Sequence, residues 1–321
     1  MNIKRKNNLW DLILNQSIDL DNIALDSFRE INAQNNRFAT WSAIEPSSRY
    51  FKSLLYAHAE NLDRRILQSK LSLNLESKDK KNGNGIKHYL KKIRNQNFGN
   101  PTSINYFNND INIDYLLSIE EMFFLDKELK ESKTILEIGA GFGRLAHSIV
   151  ENFENVERYI IIDLDPCLNF AKSYLSKVLN KKEFLKIKFI SNNDFATIDS
   201  IKTRGFDISI NINSFQEMEE SIVLDYLGLI SENSNYFYTK NAICKYHPDS
   251  IDIKIKNKIQ FESALNMGLC KDIIDIFDSN AIQEARDTYL RKYCPRNFKI
   301  SKQEPCFGQY LYYYSALYKR I

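Results

Sequence analysis

The chain has 321 residues, 43% of them hydrophobic, so it is long enough to bury a core and predicts one large domain or two smaller ones. Its 44 Lys and Arg nearly balance its 41 Asp and Glu, and a net charge of +3 gives no indication of a nucleic-acid partner. No apolar run approaches the roughly 18 residues that cross a bilayer, and Asp11 interrupts the apolar stretch behind the basic start, so we expect neither a membrane span nor a signal peptide. Five cysteines, an odd number without a CxxC pair, predict free thiols in a cytoplasmic protein.

Residues 1 to 112 are predicted to form an N-terminal helical region, which either caps a substrate pocket, with Trp41 as one contact, or makes a homodimer contact. Residues 9 to 75 carry apolar residues at helical spacing, among them Tyr50, Leu54, Leu55 and His58. Residues 76 to 103 are basic, rich in Asn and Gly and poor in large apolar residues, which predicts a linker or mobile flap. Their Lys and Arg side chains either form a solvated face or dock an anionic substrate or a membrane surface.

From residue 113 to residue 321, short apolar runs alternate with helical segments. We predict strands at residues 133 to 138, 158 to 163, 185 to 190, 206 to 212 and 235 to 240. We predict helices at 114 to 129, from 143, from 166 to about 179 and at 219 to 231. A helical insertion is expected at about 250 to 300, and a last strand in QYLYYYSALYKR, where Tyr310, Tyr312, Tyr313 and Tyr314 either pack on both faces or offer stacking surfaces. Short strands separated by helices predict an α/β fold, a Rossmann-like, doubly wound, mostly parallel sheet.

The stretch EIGAGFG, residues 137 to 143, follows the first of these strands and holds three of the chain's ten glycines. In an open parallel sheet, ligands bind beyond the carboxyl ends of the strands. We therefore expect Gly139 and Gly141 to let the backbone turn and approach a ligand, and Gly143 to let the next helix start close to the strand.

The spacing of the glycines distinguishes between nucleotide-type ligands. A P-loop needs Gly-Lys-Ser/Thr, whereas this chain has Gly-Arg-Leu at 143 to 145. A dinucleotide fingerprint needs glycine at position 144, which is Arg144. The pattern Glu-x-Gly-x-Gly-x-Gly instead resembles the first motif of the class I S-adenosylmethionine-dependent methyltransferases, and this resemblance implies that Glu137, Ala140 and the three glycines bind the cofactor S-adenosylmethionine.

A second acidic residue, Asp163, lies at the end of the second predicted strand, where a cofactor site of this kind requires one. Asp163 ends the run RYIIID, and an acid at the tip of the second strand can accept hydrogen bonds from both ribose hydroxyls. The alternative is a cap of the following helix, a role that Asp165 can also fill. Leu164, Asn193, Asp194 and Asn211 are expected to complete the cofactor site, with Asn193 and Asp194 near the adenine amino group.

Longer segments carry a finer resemblance. EIGAGFGRLA, YIIIDLDPCLNFAKSYL, NSFQEM and Asn241 together resemble the bacterial sugar O-methyltransferases, over roughly residues 120 to 245. The resemblance implies methyl transfer to a sugar hydroxyl of a surface polysaccharide or its nucleotide-linked precursor.

Methyl transfer to a hydroxyl needs positioning and a proton acceptor. The candidates for the base are His247 and Glu217, and those for binding the sugar are Asn213, Ser214 and Asn241. Each has a simpler alternative, as a surface histidine, a helix-opening acid or turn residues. The acids form no compact metal-ligand motif, so we expect no metal.

Other functions stay open at this point: methylation of a natural-product hydroxyl, a lipid or an amine, a nicotinamide-dependent oxidoreductase, or a binding protein that keeps the pocket without the chemistry.

Overall fold

The structure is a computed structural model that describes residues 9–10, 13, 24–30, 44–46, 61–82, 85–106, 108–194, 197, 200, 205–247, 253–306 and 312–321. The sequence predictions at Trp41, Tyr50, Leu54, Leu55, His58 and Tyr310 lie outside these residues. Within them, no helix has the length and apolar character to cross a bilayer.

The helices, in chain order, are α1 Asn61–Asn82, α2 Ile86–Lys92, α3 Ile113–Glu131, α4 Arg144–Asn152, α5 Asp165–Val178, α6 Lys181–Phe184, α7 Glu220–Asn233, α8 Lys258–Leu265 and α9 Ser279–Lys292. A single 3₁₀ turn, Phe215–Glu217, precedes α7. The strands are β1 Ile44–Pro46, β2 Ser103–Tyr106, β3 Asn109–Asn112, β4 Thr134–Ile138, β5 Arg158–Asp163, β6 Ile187–Ser191, β7 Phe206–Ile212, β8 Ser234–Ala242, β9 Lys245–Tyr246, β10 Ile253–Ile255, β11 Ile273–Ile274, β12 Phe298–Pro305 and β13 Tyr313–Arg320.

Seven strands form the central sheet in the order β12-β13-β8-β7-β4-β5-β6. The strands β4 to β8 pair in parallel, whereas β13 runs antiparallel to both β8 and β12. Counted along the chain within this sheet, the order is 3-2-1-4-5-7-6, with the last strand inserted between the fifth and sixth. The predicted α/β fold with a mostly parallel sheet is therefore confirmed.

The sheet carries an apolar cluster on each face, because its parallel strands are apolar on both sides. Leu136 and Ile160 belong to one cluster, and Ile135 and Ile161 to the other. The second cluster also contains Phe28, so the described N-terminal residues share a core with the sheet. The rings of Phe28 and Phe142 lie edge to face, with their centroids 5.4 Å apart.

The prediction of a linker at residues 76 to 103 is wrong. Residues 76 to 82 continue α1, and α2 buries Ile86, Tyr89 and Leu90 against the core. The apolar residues are few, but with Ile93 they recur at intervals of three and four, which places them on one face of a helix.

Three further parts of the chain can be compared with their predictions. The third parallel strand starts at Ile187 instead of residue 185, because the short helix α6 ends just before it, capped at Asn180 and Glu183. The insertion contains α8 and α9, together with the short strands β10 and β11. The predicted last strand is confirmed as β13, and Tyr312, Tyr313 and Tyr314 are buried, which agrees with packing on both faces.

Candidate active site

The glycine loop, residues 139 to 143, lies where the sheet order reverses between β4 and β7, the position at which open α/β sheets bind ligands. All three glycines have left-handed backbones, with φ of +75°, +58° and +87° for Gly139, Gly141 and Gly143. A Cβ atom at Gly139 would lie 2.2 Å from Ser214 Oγ, and one at Gly143 would lie 2.7 Å from Leu175 Cδ1. A Cβ atom at Gly141 would have no atom within 4 Å. Packing thus explains the first and third glycines, whereas the second faces open space.

Asp163 joins this loop to the second strand. Its Oδ2 accepts a hydrogen bond from Gly141 N at 3.3 Å, and its Oδ1 accepts one from Leu164 N at 2.8 Å. Burial raises the pKa of Asp163 to about 6, against the lowering effect of these backbone hydrogen bonds. The half-buried carboxyl is therefore ionised at neutral pH and lies beside the open position at Gly141.

Glu137 lies beneath the loop. It is buried, and its Oε2 accepts a hydrogen bond from Tyr159 Oη at 2.8 Å. Burial raises the pKa of this carboxyl to about 7, although Tyr159 and Arg144 act in the opposite direction. The acid in front of the glycines thus supports the loop from the core, and a direct contact between its side chain and a cofactor stays a prediction.

A buried ion network explains why position 144 is not glycine. Arg144 makes a two-pronged contact with Glu121 of α3, at 2.7 and 2.8 Å. Lys240 of β8, fully buried, donates to Glu120 at 3.0 Å and to Glu121 at 3.2 Å. Burial lowers the pKa of Lys240, but the two carboxylates raise it by more. The network holds the start of α4 against α3 and β8.

Asn211 and Asn241 make hydrogen bonds within the protein. Both side chains are fully buried. Asn211 Nδ2 donates to Ile138 O at 2.9 Å and to Ser214 Oγ at 2.6 Å, and Asn241 Nδ2 donates to Asn211 Oδ1 at 2.8 Å. Ser214 Oγ donates in turn to Ile138 O at 3.1 Å. These hydrogen bonds fasten the ends of β4, β7 and β8 to one another, and contacts of Asn211 with the cofactor and of Asn241 with the sugar stay predictions.

At the carboxyl ends of β6 and β7, Asn192 and Asn213 each carry a buried Oδ1 for which the described residues provide no hydrogen-bond partner; Asn74 Oδ1 and Asn152 Oδ1 share this property elsewhere in the fold. Asn192 follows β6, and its backbone N donates to Asp163 O at 2.9 Å. Asn213 follows β7 with a left-handed φ of +58°, and strained residues of this kind cluster at functional sites. Both therefore have an acceptor available for a ligand.

The predicted adenine contacts, Asn193 and Asp194, are exposed. Asp194 Oδ1 accepts a hydrogen bond from Thr197 N at 3.0 Å, and the pKa of this carboxyl is lowered by hydrogen bonds from Thr197. Sequence reasoning missed Asn192, although the alternation of side chains along a strand places it on the same face as the buried Ile190.

The two candidate bases lie in different surroundings. Glu217 is buried in the 3₁₀ turn after β7, close enough to Cys167 and Lys245 to influence their pKa values. His247 is exposed and follows β9. Glu217 is therefore an interior residue and His247 a surface residue, and the role of either as a base stays a prediction.

A third apolar cluster covers this edge of the sheet. Leu9 and Ile13 are fully buried against Cys167 and Met267, and Trp10, Leu164 and Ala264 pack on them. The cluster brings together the N-terminal segment, the start of α5 and the residues after α8. We call it the roof cluster.

No His, Cys, Asp or Glu group of three or more among the described residues is arranged to hold a metal ion. All five cysteines are free thiols.

Neither the known family models nor the curated proteins include a match to this chain. Solved structures are similar to it. The methyltransferase domain of bacterial CtHen1-CN is 13% identical, with 65% of this chain and 100% of that chain covered and a TM-score of 0.43. The mitomycin 7-O-methyltransferase MmcR is 12% identical, with 86% and 73% covered and a TM-score of 0.41. The glycopeptide N-methyltransferase MtfA, complexed with sinefungin, is 11% identical, with 64% and 94% covered and a TM-score of 0.39. Because these TM-scores are low, the fold and the site are assigned from this chain's own strand order and contacts.

Proposed function

We propose that the chain is an S-adenosylmethionine-dependent methyltransferase that methylates a sugar hydroxyl. The observation that carries the proposal is the loop at the switch point of the sheet, where Gly141 faces open space and its backbone is held by Asp163. A loop of this kind gives a ligand access to main-chain atoms on one side and to an ionised carboxylate on the other.

The buried polar atoms of the site suit the proposed cofactor. Asp163 would accept hydrogen bonds from the ribose hydroxyls, as its position at the end of β5 predicts. Asn192 Oδ1 would accept one from the adenine amino group, and Asn213 Oδ1, as the sequence predicts, would face the acceptor. Each of the two amide oxygens has no partner among the described residues, and such buried acceptors cost free energy until a donor reaches them.

The cofactor supplies a methyl group on a positively charged sulfur. What the protein contributes is alignment of the acceptor oxygen with that methyl group, exclusion of water and removal of the hydroxyl proton. The roof cluster lies over the start of α5, directly after Asp163, and would exclude water from this side. Among the bases that the sequence predicts, the buried Glu217 fits better than the exposed His247.

A sugar is the acceptor that we favour, because residues 120 to 245 resemble the bacterial sugar O-methyltransferases. Asn213 would orient its hydroxyl groups more readily than Ser214, since the Ser214 hydroxyl is already engaged by Asn211 and Ile138. A natural-product hydroxyl, a lipid or an amine is the alternative acceptor. We propose a cytoplasmic location, in keeping with the five free thiols, and a capping role for the N-terminal region.

An oxidoreductase that binds a nicotinamide dinucleotide is disfavoured by two observations. Arg144 stands where the third glycine of the fingerprint belongs, and it is committed to Glu121. The sheet order 3-2-1-4-5-7-6 also departs from the dinucleotide-binding order 3-2-1-4-5-6.

Calorimetric titration of the purified protein with S-adenosylmethionine, with its demethylated product and with NAD tests the cofactor. We expect micromolar binding of the two sulfur compounds and none of NAD. Binding of NAD alone would overturn the proposal. Methyl transfer from labelled cofactor to a panel of nucleotide sugars, glycans, lipids and amines then tests the acceptor class.

A further inference from the structure

Lys245 is a polar residue of this site that sequence reasoning missed. It begins β9, and its backbone N donates to Asp272 O at 2.8 Å, which fixes the strand beside β11. Its half-buried side chain turns back to the 3₁₀ turn after β7, where Nζ donates to Gln216 O at 3.3 Å.

The carbonyl that receives this hydrogen bond is held rigidly. Gln216 Nε2 donates to Tyr313 Oη at 2.6 Å, and Gln216 Oε1 accepts from Ala242 N at 2.7 Å. Its backbone N donates to Asn241 Oδ1 at 3.4 Å. The position of the Lys245 amine is therefore set by the turn that carries Glu217, which begins directly after Asn213 and Ser214.

Burial is the largest influence on the Lys245 amine. The titratable and charged groups that act on it are Glu217, Cys270, Cys244 and Lys271. Burial lowers the pKa of Lys245 to about 8, and the attraction of Glu217 offsets this only in part. At slightly alkaline pH, Lys245 is thus a neutral amine in a substantial fraction of the molecules.

A neutral amine at this position has the properties of a proton acceptor. General bases work best when their pKa lies near the operating pH, and enzymes obtain such lysines by burial. Donation of one hydrogen to Gln216 O leaves the nitrogen lone pair free to point elsewhere. A carboxylate is in general a weaker base than a neutral amine, and His247 lies outside the turn.

We propose that Lys245 is the catalytic base of this site and takes the proton of the acceptor hydroxyl. This inference rests on the proposed function. As the acceptor oxygen forms its bond to the methyl carbon, the electrons of the carbon–sulfur bond stay on sulfur and the hydroxyl proton moves to Lys245 Nζ. The ammonium then releases the proton to solvent after the product has left.

Steady-state methyl transfer by the full chain, measured from pH 6 to pH 10, tests the inference. In the parent protein kcat/KM should rise about tenfold per pH unit up to about pH 8 and then level off. Both Lys245→Met and Lys245→Arg should lower kcat by about 100-fold or more while the Kd of S-adenosylmethionine changes little, because arginine keeps the charge but cannot accept a proton. Glu217→Gln should move the inflection to lower pH, since the carboxylate raises the pKa of Lys245.

Lys271→Met is the matched control, because Lys271 lies beside Lys245 in space but pairs at the surface with Glu220 at 2.7 Å. It should keep the parent kcat. A Lys245→Arg variant with kcat near that of the parent, or a parent rate that does not change between pH 7 and pH 9, would overturn the inference. A parent that binds the cofactor but methylates no hydroxyl compound would overturn the proposed function, and this inference with it.

Discussion

Asp163 is the residue on which the cofactor proposal depends most directly. Its pKa of about 6, raised by burial, means that the carboxylate is present above this pH and is protonated below it. A protonated carboxyl cannot accept hydrogen bonds from two hydroxyls with both oxygens. We therefore expect the affinity for S-adenosylmethionine to fall by up to about tenfold per pH unit below pH 6.

The variant Asp163→Asn should weaken binding by about 1.5–3 kcal/mol at pH 7.5, and its affinity should not vary with pH between 5 and 8. The exposed neighbour Asp165 provides the control, because Asp165→Asn removes the same charge two residues away. Calorimetric titration measures both. An unchanged affinity in Asp163→Asn would remove this residue from the site.

The first two glycines of the loop should respond differently to substitution. Gly139→Ala places a Cβ against Ser214, and overpacking plus left-handed strain should lower the free energy of unfolding by about 2–5 kcal/mol. Gly141→Ala meets no atom, so only the strain of about 1–2 kcal/mol remains. Its methyl group should instead obstruct the ligand and weaken cofactor binding by tenfold or more. Urea unfolding measures the stability of both variants, and calorimetry measures their affinity for the cofactor. If Gly141→Ala binds the cofactor as tightly as the parent, the cofactor does not lie against Gly141.

At the scale of elements, the N-terminal segment contacts the start of α5 through the roof cluster. Trp10 packs there with Leu164, which directly follows Asp163. The chain has only two tryptophans, so Trp41→Phe leaves Trp10 as the sole emitter. Its emission should shift when S-adenosylmethionine binds, and Trp10→Ala should raise the Kd by up to about tenfold, equivalent to ~1.4 kcal/mol. If the emission stays constant at a cofactor concentration that calorimetry shows to be saturating, Trp10 does not sense cofactor binding. The N-terminal segment would then not adjoin the cofactor site.

At the scale of the whole molecule, the buried ion network connects α3, α4 and the centre of the sheet. Lys240→Met leaves Glu120 and Glu121 buried with less compensation, and we expect a loss of about 3–5 kcal/mol in the free energy of unfolding. Lys130→Met breaks a pair with Asp126 that is open to solvent and should cost no more than about 0.5 kcal/mol. Urea denaturation of the two variants makes the comparison, and equal losses would contradict a structural role for the network.

The sequence alone determined the order of the parallel strands β4 to β8, the position of the glycine loop and the acid at the end of β5, but it missed the short helix α6 and the strand β12. These features could be predicted because apolar runs, helical spacing and the glycines that adopt positive φ are all visible within a few neighbouring residues. Residues 86 to 93 carried the same kind of signal, yet their composition misled the prediction of a linker.

Only the tertiary structure decided which polar side chains line the site. Asn211 and Asn241 make buried hydrogen bonds between strand ends, Asn192 is buried, and Lys245 reaches the turn after β7; a sequence pattern does not predict which turns meet at one end of a sheet. Parallel strands far apart in the chain bring these residues together through the sheet order, and burial among distant groups then alters their pKa values. Contacts of this kind depend on packing between remote segments, and no local pattern encodes them.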